Sequence, residues 1–426
     1  MTAKQTNSPY RISPAREASF AILQRIDEGK GHSDDLLHSM RVNALSAEDR
    51  NLTHALVMGT LRWQISLDAV VHPMLQHRDQ QLQREIAIAL RLGAFQLLHM
   101  DRIPAHAAIF ESVELARANG AAHAAGMVNA ILRRVSREIA ALKARSTPVS
   151  AHPLWMLDRW NNLYGGKTVE LLTAADQHEP TPRSFFPSTE NETSMPLIDD
   201  GSRLVAELVA LSHTAPKRIL DCCAAPGGKT MVLALRHPDA EIVAADVNER
   251  RITGMKKRLG GKGEFGNIVA VHADMTQPTT VAELEGEFDL ILCDAPCSGT
   301  GTLARNPEIR LRLQPEEFAR QAERQRALLS ASIARLAPGG RLLYSTCSLE
   351  PEENEDVVRQ IMANQPKSIR QRSLAMALKQ LSVNGLLAEE IGTVLEETAL
   401  RGSALRTIPG THSCDGFFAA LIERLD

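Results

Sequence analysis

The sequence predicts two folded parts of different class: an all-α N-terminal domain, then an α/β domain of Rossmann-like type built on a mostly parallel, doubly wound sheet. Three observations carry this. Apolar residues recur at helical spacing from about Ala15 to Leu142, with little β-branched alternation. From Arg218 onward, short apolar runs alternate with helical stretches, the pattern of strands linked by crossover helices. The chain has 426 residues, too many for one ordinary domain, and 44% of them are hydrophobic, enough to fill two cores.

Residues 1–14 are polar, contain two prolines and read as a flexible lead-in. Residues 15–145 form the all-α domain. Ala15, Ala18, Ile22 and Ile26 share one helix face, and Ile86, Ala89, Leu90, Ala94 and Leu97 share another. Such stripes belong to a core, and short connections such as DRIPAH at 101–106 separate the helices. Residues 146–215 read as a linker, with breakers in STPVSAHP, QHEPTPRSFFPSTENETSMP and SHTAP, a short helix near Leu154–Leu172 and another at about 201–212. Residues 216–426 carry the strands RILDCC, EIVAAD, NIVAVHAD, FDLILCDAP and RLLYSTCS. Helices reach Leu235 and Leu259 and span about 315–336, and GFFAALIERL is a last strand. No internal repeat interrupts this order.

Composition narrows the function less than the motifs do. Formal net charge is -3, with 48 basic and 51 acidic residues. Residues 1–150 hold 18 Lys and Arg against 14 Asp and Glu, leaving 30 against 37 for the rest, so the helical part is mildly basic. Arg133, Arg134 and Arg137 stand where they could meet phosphate, although a solvated helix end accounts for them better. The six cysteines include no C-x-x-C pair, which argues against a zinc ribbon, and they do not look like a disulfide framework. No signal-peptide core is present, and no apolar run approaches the ~18 residues that span a bilayer. The expectation is a cytoplasmic protein with reduced thiols, no membrane segment and no obligate protein partner.

The loop Cys223-Ala224-Ala225-Pro226-Gly227-Gly228-Lys229 follows the first predicted strand and opens a helix. Its glycines let the backbone approach a ligand closely. It falls short of a P-loop, which would need glycine where Cys223 stands. Asp246 ends the next strand, 18 residues after Gly228, near the spacing at which an acid binds ribose hydroxyls. Asp274 ends the third strand. The two acids outline a crevice for an adenosine ligand, and without a second phosphate-binding feature S-adenosylmethionine suits it better than a dinucleotide.

Two cysteines end the next two strands: Cys297 in DAPCSGTG, after Asp294, and Cys347 in STCS. In an open parallel sheet, the loops at the carboxyl ends of strands share one crevice. A lone cysteine is usually a small buried hydrophobe, which is the reading for Cys222, Cys293 and Cys414. Two on adjacent edge loops point to thiol chemistry beside the cofactor.

These residues resemble the RNA cytosine-5 methyltransferase family. The matches are LDCCAAPGGKT, the Asp246 strand end, DAPCSGTGTLARNP, YSTCSLEPEENE and CDGFF, over about 218–426. The segments DRNLTHALVMGTLRW, LRLGAFQLLHMDRIPAHAAIFESVELA and GMVNAILRRV look like the NusB-type RNA-binding fold. The combination is similar to RsmB-type (Sun/Fmu) enzymes, which modify 16S small-subunit ribosomal RNA. The resemblance implies a class I methyltransferase domain with S-adenosylmethionine on Cys223 to Lys229, Asp246, Asp274 and Asp294. It implies Cys347 as nucleophile, Cys297 as the thiol that aids product release, and Asp294 as a contact to the target base. The chemistry suits the residues. C5 of cytosine is a poor nucleophile, and a thiolate adding to C6 makes it enamine-like. An acid near N3, such as Asp294, helps the addition, and no step needs a metal. Two departures bear on RNA specificity. Pro182-Arg183-Ser184-Phe185 stands where the family enters a longer RNA-recognition-like region, shortening the stretch from 183 to 202, and the family's Trp near Leu311 is absent. A transfer-RNA or DNA methyltransferase, and an RNA-binding assembly factor without catalysis, are the competing readings. The two thiols argue against the last, and the NusB-type segment favours RNA.

Overall fold

The computed structural model describes residues 12–76, 81–178, 185–187, 195–260, 265–277 and 281–426. Residues 1–11 of the expected lead-in, and Pro182, Arg183 and Ser184, lie outside them. The chain divides into two compact units. One comprises residues 1–179 and Leu303–Arg312, the other 180–302 and Leu313–Asp426.

The first unit is helical: α1 (Pro14–Asp27), α2 (Ser33–Leu37), α3 (Met40–Asn43), α4 (Ala47–Val71), α5 (Arg84–His99), α6 (Ala105–Ala118), α7 (Ala125–Arg137), α8 (Ile139–Arg145), α9 (Leu154–Tyr164) and α10 (Gly166–Ala175). Ser46 caps α4 by accepting from the Asp49 N–H, satisfying one of the free donors of its first turn. Both expected stripes are buried, on α1 and α5 respectively. Gly59 is where α4 and α5 meet: a Cβ there would stand 1.9 Å from the tip of the Phe95 ring. Gly165, at φ +79°, splits the single helix expected at 154–172 into α9 and α10.

The expected linker of 146–215 is not one connecting segment. Its first part, with α9 and α10, packs in the helical unit, where Trp160 is fully buried. Its last part forms α11 (Asp200–Leu211) of the second unit. More distant in sequence, Leu303–Arg312, which includes α14 (Ile309–Arg312), also belongs to the helical unit. The buried Glu308 carboxylate accepts from the Ser33 N–H and hydroxyl at the start of α2, at 2.9 and 3.0 Å. Arg62 donates twice to the Ala304 carbonyl, at 3.1 and 2.7 Å. The buried Arg310 reaches the carbonyls of Ala151, Asp176 and Leu303.

The second unit is built on β1 (Arg218–Asp221), β2 (Glu241–Asp246), β3 (Ile268–His272), β4 (Phe288–Asp294), β5 (Leu336–Thr346), β6 (Ile369–Arg372), β7 (Leu400–Arg401), β8 (Ala404–Arg406) and β9 (Phe418–Arg424). Five strands run parallel in the order β3-β2-β1-β4-β5, and β9 joins β5 antiparallel, followed by β8 and β7, with β6 also on β9. Alternate residues feed two cores. Ile219, Leu290, Leu292 and Leu343 pack with Leu204 and Leu208 of α11. Leu220, Ile291 and Leu342 pack with Leu328, Leu329 and Ile333 of α15 (Glu316–Ile333) on the other face. Cover on both faces explains why these strands read as continuous apolar runs. The crossover helices α12 (Gly228–Arg236) and α13 (Glu249–Leu259) complete the parallel half. Strand order reverses between β1 and β4, so a crevice opens at their carboxyl ends. The region after Cys347 adds α16 (Glu355–Met362), α17 (Ala375–Val383) and α18 (Glu389–Thr398), which, like β6, β7 and β8, go beyond the elements expected from the sequence.

Candidate active site

A cavity of about 490 Å³ lies at the carboxyl ends of the parallel strands, within the size range of small-molecule sites. Cys222, Cys223, Ala225 and Pro226 line it after β1, Asp246 after β2, Asp274 after β3, Asp294 and Cys297 after β4, and Cys347 after β5. Arg251, Arg324 and Leu328 are among its other lining residues, and no sequence motif marks them.

The loop after β1 is held by backbone bonds on both sides. Cys222 N–H donates to Leu292 O and Ala224 N–H to Ala245 O, each at 2.9 Å. Asp246 accepts from the Ala225 N–H at 3.2 Å and the Asn248 N–H at 2.8 Å, which fixes its carboxylate at the cavity edge. Arg251 and Arg258 donate to the carbonyls of Ala225 and Pro226, at 2.5 and 2.6 Å. Gly227 has φ +106° and lies against Met255, and a Cβ on Gly228 would meet Ile198 at 2.5 Å. Ala224, Gly227, Gly228 and Lys229 therefore shape the loop without lining the cavity. Behind it, the buried Asp221 accepts from the Thr230 hydroxyl at 2.7 Å, and burial pushes its carboxyl up to about 7. Asp274 is turned partly into its own loop, accepting from the Thr276 N–H and hydroxyl at 2.9 and 2.7 Å. Those bonds hold its carboxyl below the ordinary range.

On the other side of the crevice, Cys297 Sγ and Cys347 Sγ are 3.4 Å apart. The hydrogen bond to Cys347, burial and the charge of Glu353 push the Cys297 thiol well up, so Cys297 keeps its proton. Asp294 accepts from Lys229 Nζ at 2.7 Å through one oxygen and from the Ser345 hydroxyl at 2.7 Å through the other. Burial pulls Lys229 down, but Asp294 and the Cys347 sulfur outweigh it, so its net shift is upward and it stays charged. Its Nζ also stands 5.1 Å from the centre of the Phe417 ring. Lys229, expected as a cofactor contact, is paired with Asp294, another of the expected contacts.

The two thiol loops are joined through the CDGFF segment. Gly301 N–H donates to Cys347 O at 2.9 Å, and Gly416 N–H to Gly301 O at 2.8 Å. A Cβ on Gly301 would stand 2.3 Å from the Gly416 carbonyl oxygen, so both positions need glycine. Cys222, Cys293 and Cys414 are buried, as small apolar side chains would be. In the helical unit, Arg134 pairs with Glu138 at 2.9 Å, whereas Arg133 and Arg137 line an open groove between α6 and α7.

The fold and the crevice define a class I methyltransferase with an N-terminal NusB-like helical region. A family model described as 16S rRNA methyltransferase RsmB/F matches residues 208–423, and one described as NusB family matches residues 13–137. The chain belongs to the RsmB/F family of 16S rRNA methyltransferases. It is 30% identical to the ribosomal RNA small subunit methyltransferase B of Pseudomonas putida, over 88% of this chain and 95% of that one. It is 29% identical to the protein of the same name from Citrobacter koseri, over 96% and 98%. A solved structure described as PH0851 shares the fold, with a TM-score of 0.71 at 20% identity, covering 97% of this chain and all of that one.

Proposed function

We propose that this protein forms 5-methylcytosine in 16S ribosomal RNA, with S-adenosylmethionine as methyl donor and Cys347 as nucleophile. The observation that carries this reading is the pair of thiols 3.4 Å apart, lining one cavity with Asp294. The cavity suits the donor. It offers an adenosine-sized space, and Asp246 and Asp274 present acceptors at successive strand ends. Bound there, S-adenosylmethionine supplies an electrophilic methyl group.

The residues divide the work. The Cys347 thiolate adds to C6 of the cytosine, and its electron pair passes through the ring toward N3. Asp294, placed at the base edge in this reading, passes a proton to N3 and regains it from Lys229, which donates to it at 2.7 Å; N3 returns the proton when the C6–S bond breaks. C5, now enamine-like, takes the methyl group. The C5 proton leaves to solvent, the C6–S bond breaks, and the Cys297 thiol hydrogen-bonds the departing Cys347 sulfur. Covalent addition thus replaces one difficult step by two easier ones.

The test is methylation of unmodified 16S RNA with labelled S-adenosylmethionine, mapped by bisulfite sequencing. One protected cytosine, lost in Cys347→Ala with donor binding retained, is the expected result. Full activity of Cys347→Ala would remove the nucleophile assignment. Labelling of transfer RNA instead of 16S RNA would keep the chemistry and move the target.

A further inference from the structure

We propose that Glu353 is a positioning residue that holds the Cys297 thiol over Cys347. The proposal rests on the roles given above to the two thiols, and goes beyond them.

Glu353 ends a short turn, Pro351–Glu353, just after the Cys347 loop. Its side chain is fully buried, although it lies in the acidic run Glu350-Pro351-Glu352-Glu353. A buried carboxylate is costly unless donors surround it. Here the donors come from the residue after Cys297: the Ser298 N–H at 2.9 Å and the Ser298 hydroxyl at 2.5 Å. Gln325 of α15 supplies a third, at 3.2 Å, and the same Gln325 nitrogen donates to the Pro296 carbonyl at 2.9 Å. The residues on both sides of Cys297 are therefore tied to one carboxylate and its neighbour. Tyr344 of β5 anchors the turn itself, its hydroxyl donating to the Glu353 carbonyl at 2.6 Å. Ser348, next to Cys347, closes the circuit through the Ser298 hydroxyl at 3.1 Å.

This arrangement fixes the backbone of the Cys297 loop against that of the Cys347 loop, and so fixes the 3.4 Å sulfur separation. It also leaves a negative charge beside one thiol. The titratable and charged groups about Cys297 are Cys347, Glu353, Tyr344, and, across the cavity, Asp294 and Arg324. A thiol that keeps its proton can donate to the departing Cys347 sulfur without competing for addition to the base.

The experiment follows alkylation of each cysteine by iodoacetamide across pH 6–10 in the full-length protein, resolved by peptide mass spectrometry. In Glu353→Gln, which keeps size and most of the hydrogen bonding, the midpoint for Cys297 is expected to fall by about one pH unit. Turnover on 16S RNA is expected to fall about tenfold with KM little changed, and a covalent protein–RNA band to accumulate, as is also expected of Cys297→Ala. Glu353→Asp should restore the wild-type midpoint at least in part. An unchanged Cys297 midpoint in a Glu353→Gln protein of normal melting temperature would overturn the proposal. Should Glu353→Gln fail to fold, Ser298→Ala removes only the hydroxyl bond, and unchanged adduct level and turnover in that variant would overturn it too. The alkylation profile needs no RNA, so it decides the role of Glu353 even if the methylated nucleotide proves different.

Discussion

The two units bury polar groups for different ends. In the helical unit, Glu308 closes the start of α2, and Arg62 and Arg310 end on backbone carbonyls. In the sheet unit, Glu353, Ser298, Ser348 and Gln325 are buried to a similar degree, yet their bonds tie together the two loops that carry Cys297 and Cys347. The first network joins chain segments. The second presents reactive atoms, and its value is measured in geometry rather than in stability.

Substitutions can break this contrast. The largest effect is expected from Gly301→Ala. A Cβ pressed on the Gly416 backbone must shift the loops of Cys297 and Cys347, so methyl transfer should fall at least a hundredfold, read by label incorporation. Gly59→Ala in the helical unit meets the Phe95 ring equally hard, but should cost about 2–3 kcal/mol of stability and leave the alkylation profile of Cys297 unaltered. If Gly59→Ala changed that profile, or Gly301→Ala spared turnover, the contrast would fail. Glu308→Ala strands the Ser33 donors and should cost about 2 kcal/mol, read as a lower denaturation midpoint by tryptophan fluorescence. All three tryptophans, Trp63, Trp155 and Trp160, lie in the helical unit, so the signal reports on it alone.

Acidity should separate the units by sign. Burial raises the Asp221 carboxyl from 3.8 to about 7, so its contribution is fully present below about pH 4 and is lost as pH rises through about 7. Asp221→Asn should therefore remove a loss of up to about 4 kcal/mol at neutral pH, followed by hydrogen exchange in β1. His99, stacked on Trp63 at 4.0 Å, is held neutral by burial and by Lys143, down to about 4. Its contribution is present above about pH 6.5 and is lost as pH falls through about 4. His99→Phe keeps the stacking and should protect the helical unit by about 2 kcal/mol at pH 4. The smallest effect is expected for Arg134→Ala, which removes a half-exposed ion pair with Glu138 and should shift stability by no more than about 0.5 kcal/mol.

What could be read from the sequence follows the range of the interactions. The stripes of α1 and α5, the parallel strands and the Gly227-Gly228 turn are set by neighbours a few residues away, and they stand out as periodicity and spacing. The meeting of Cys297 and Cys347 was legible because strand ends share one edge. Glu353 was not: in its local run it resembles a solvated acidic surface, and Ser298 and Gln325, 55 and 28 positions earlier, explain its burial. The pairing of Lys229 with Asp294 is not legible either, because Asp294 lies 65 positions away. The stretch from 355 to 417 lacked strong alternation, and its short strands β6, β7 and β8 draw their order from pairing at the sheet's antiparallel edge.

The ten residues Leu303–Arg312 carry a consequence for how such a protein can be dissected or inherited. They come immediately after the Cys297 loop, yet they complete the helical unit. The helical part is therefore not a cassette that a cut near residue 179 could release whole. A fragment ending there leaves Ser33 uncapped and takes from Arg62 the Ala304 carbonyl. A fragment beginning there carries Glu308 and Arg310 with nothing to bury them. Neither half is self-sufficient, so a gene exchange that swapped one half for a distant relative's would have to bring these ten residues along from the other.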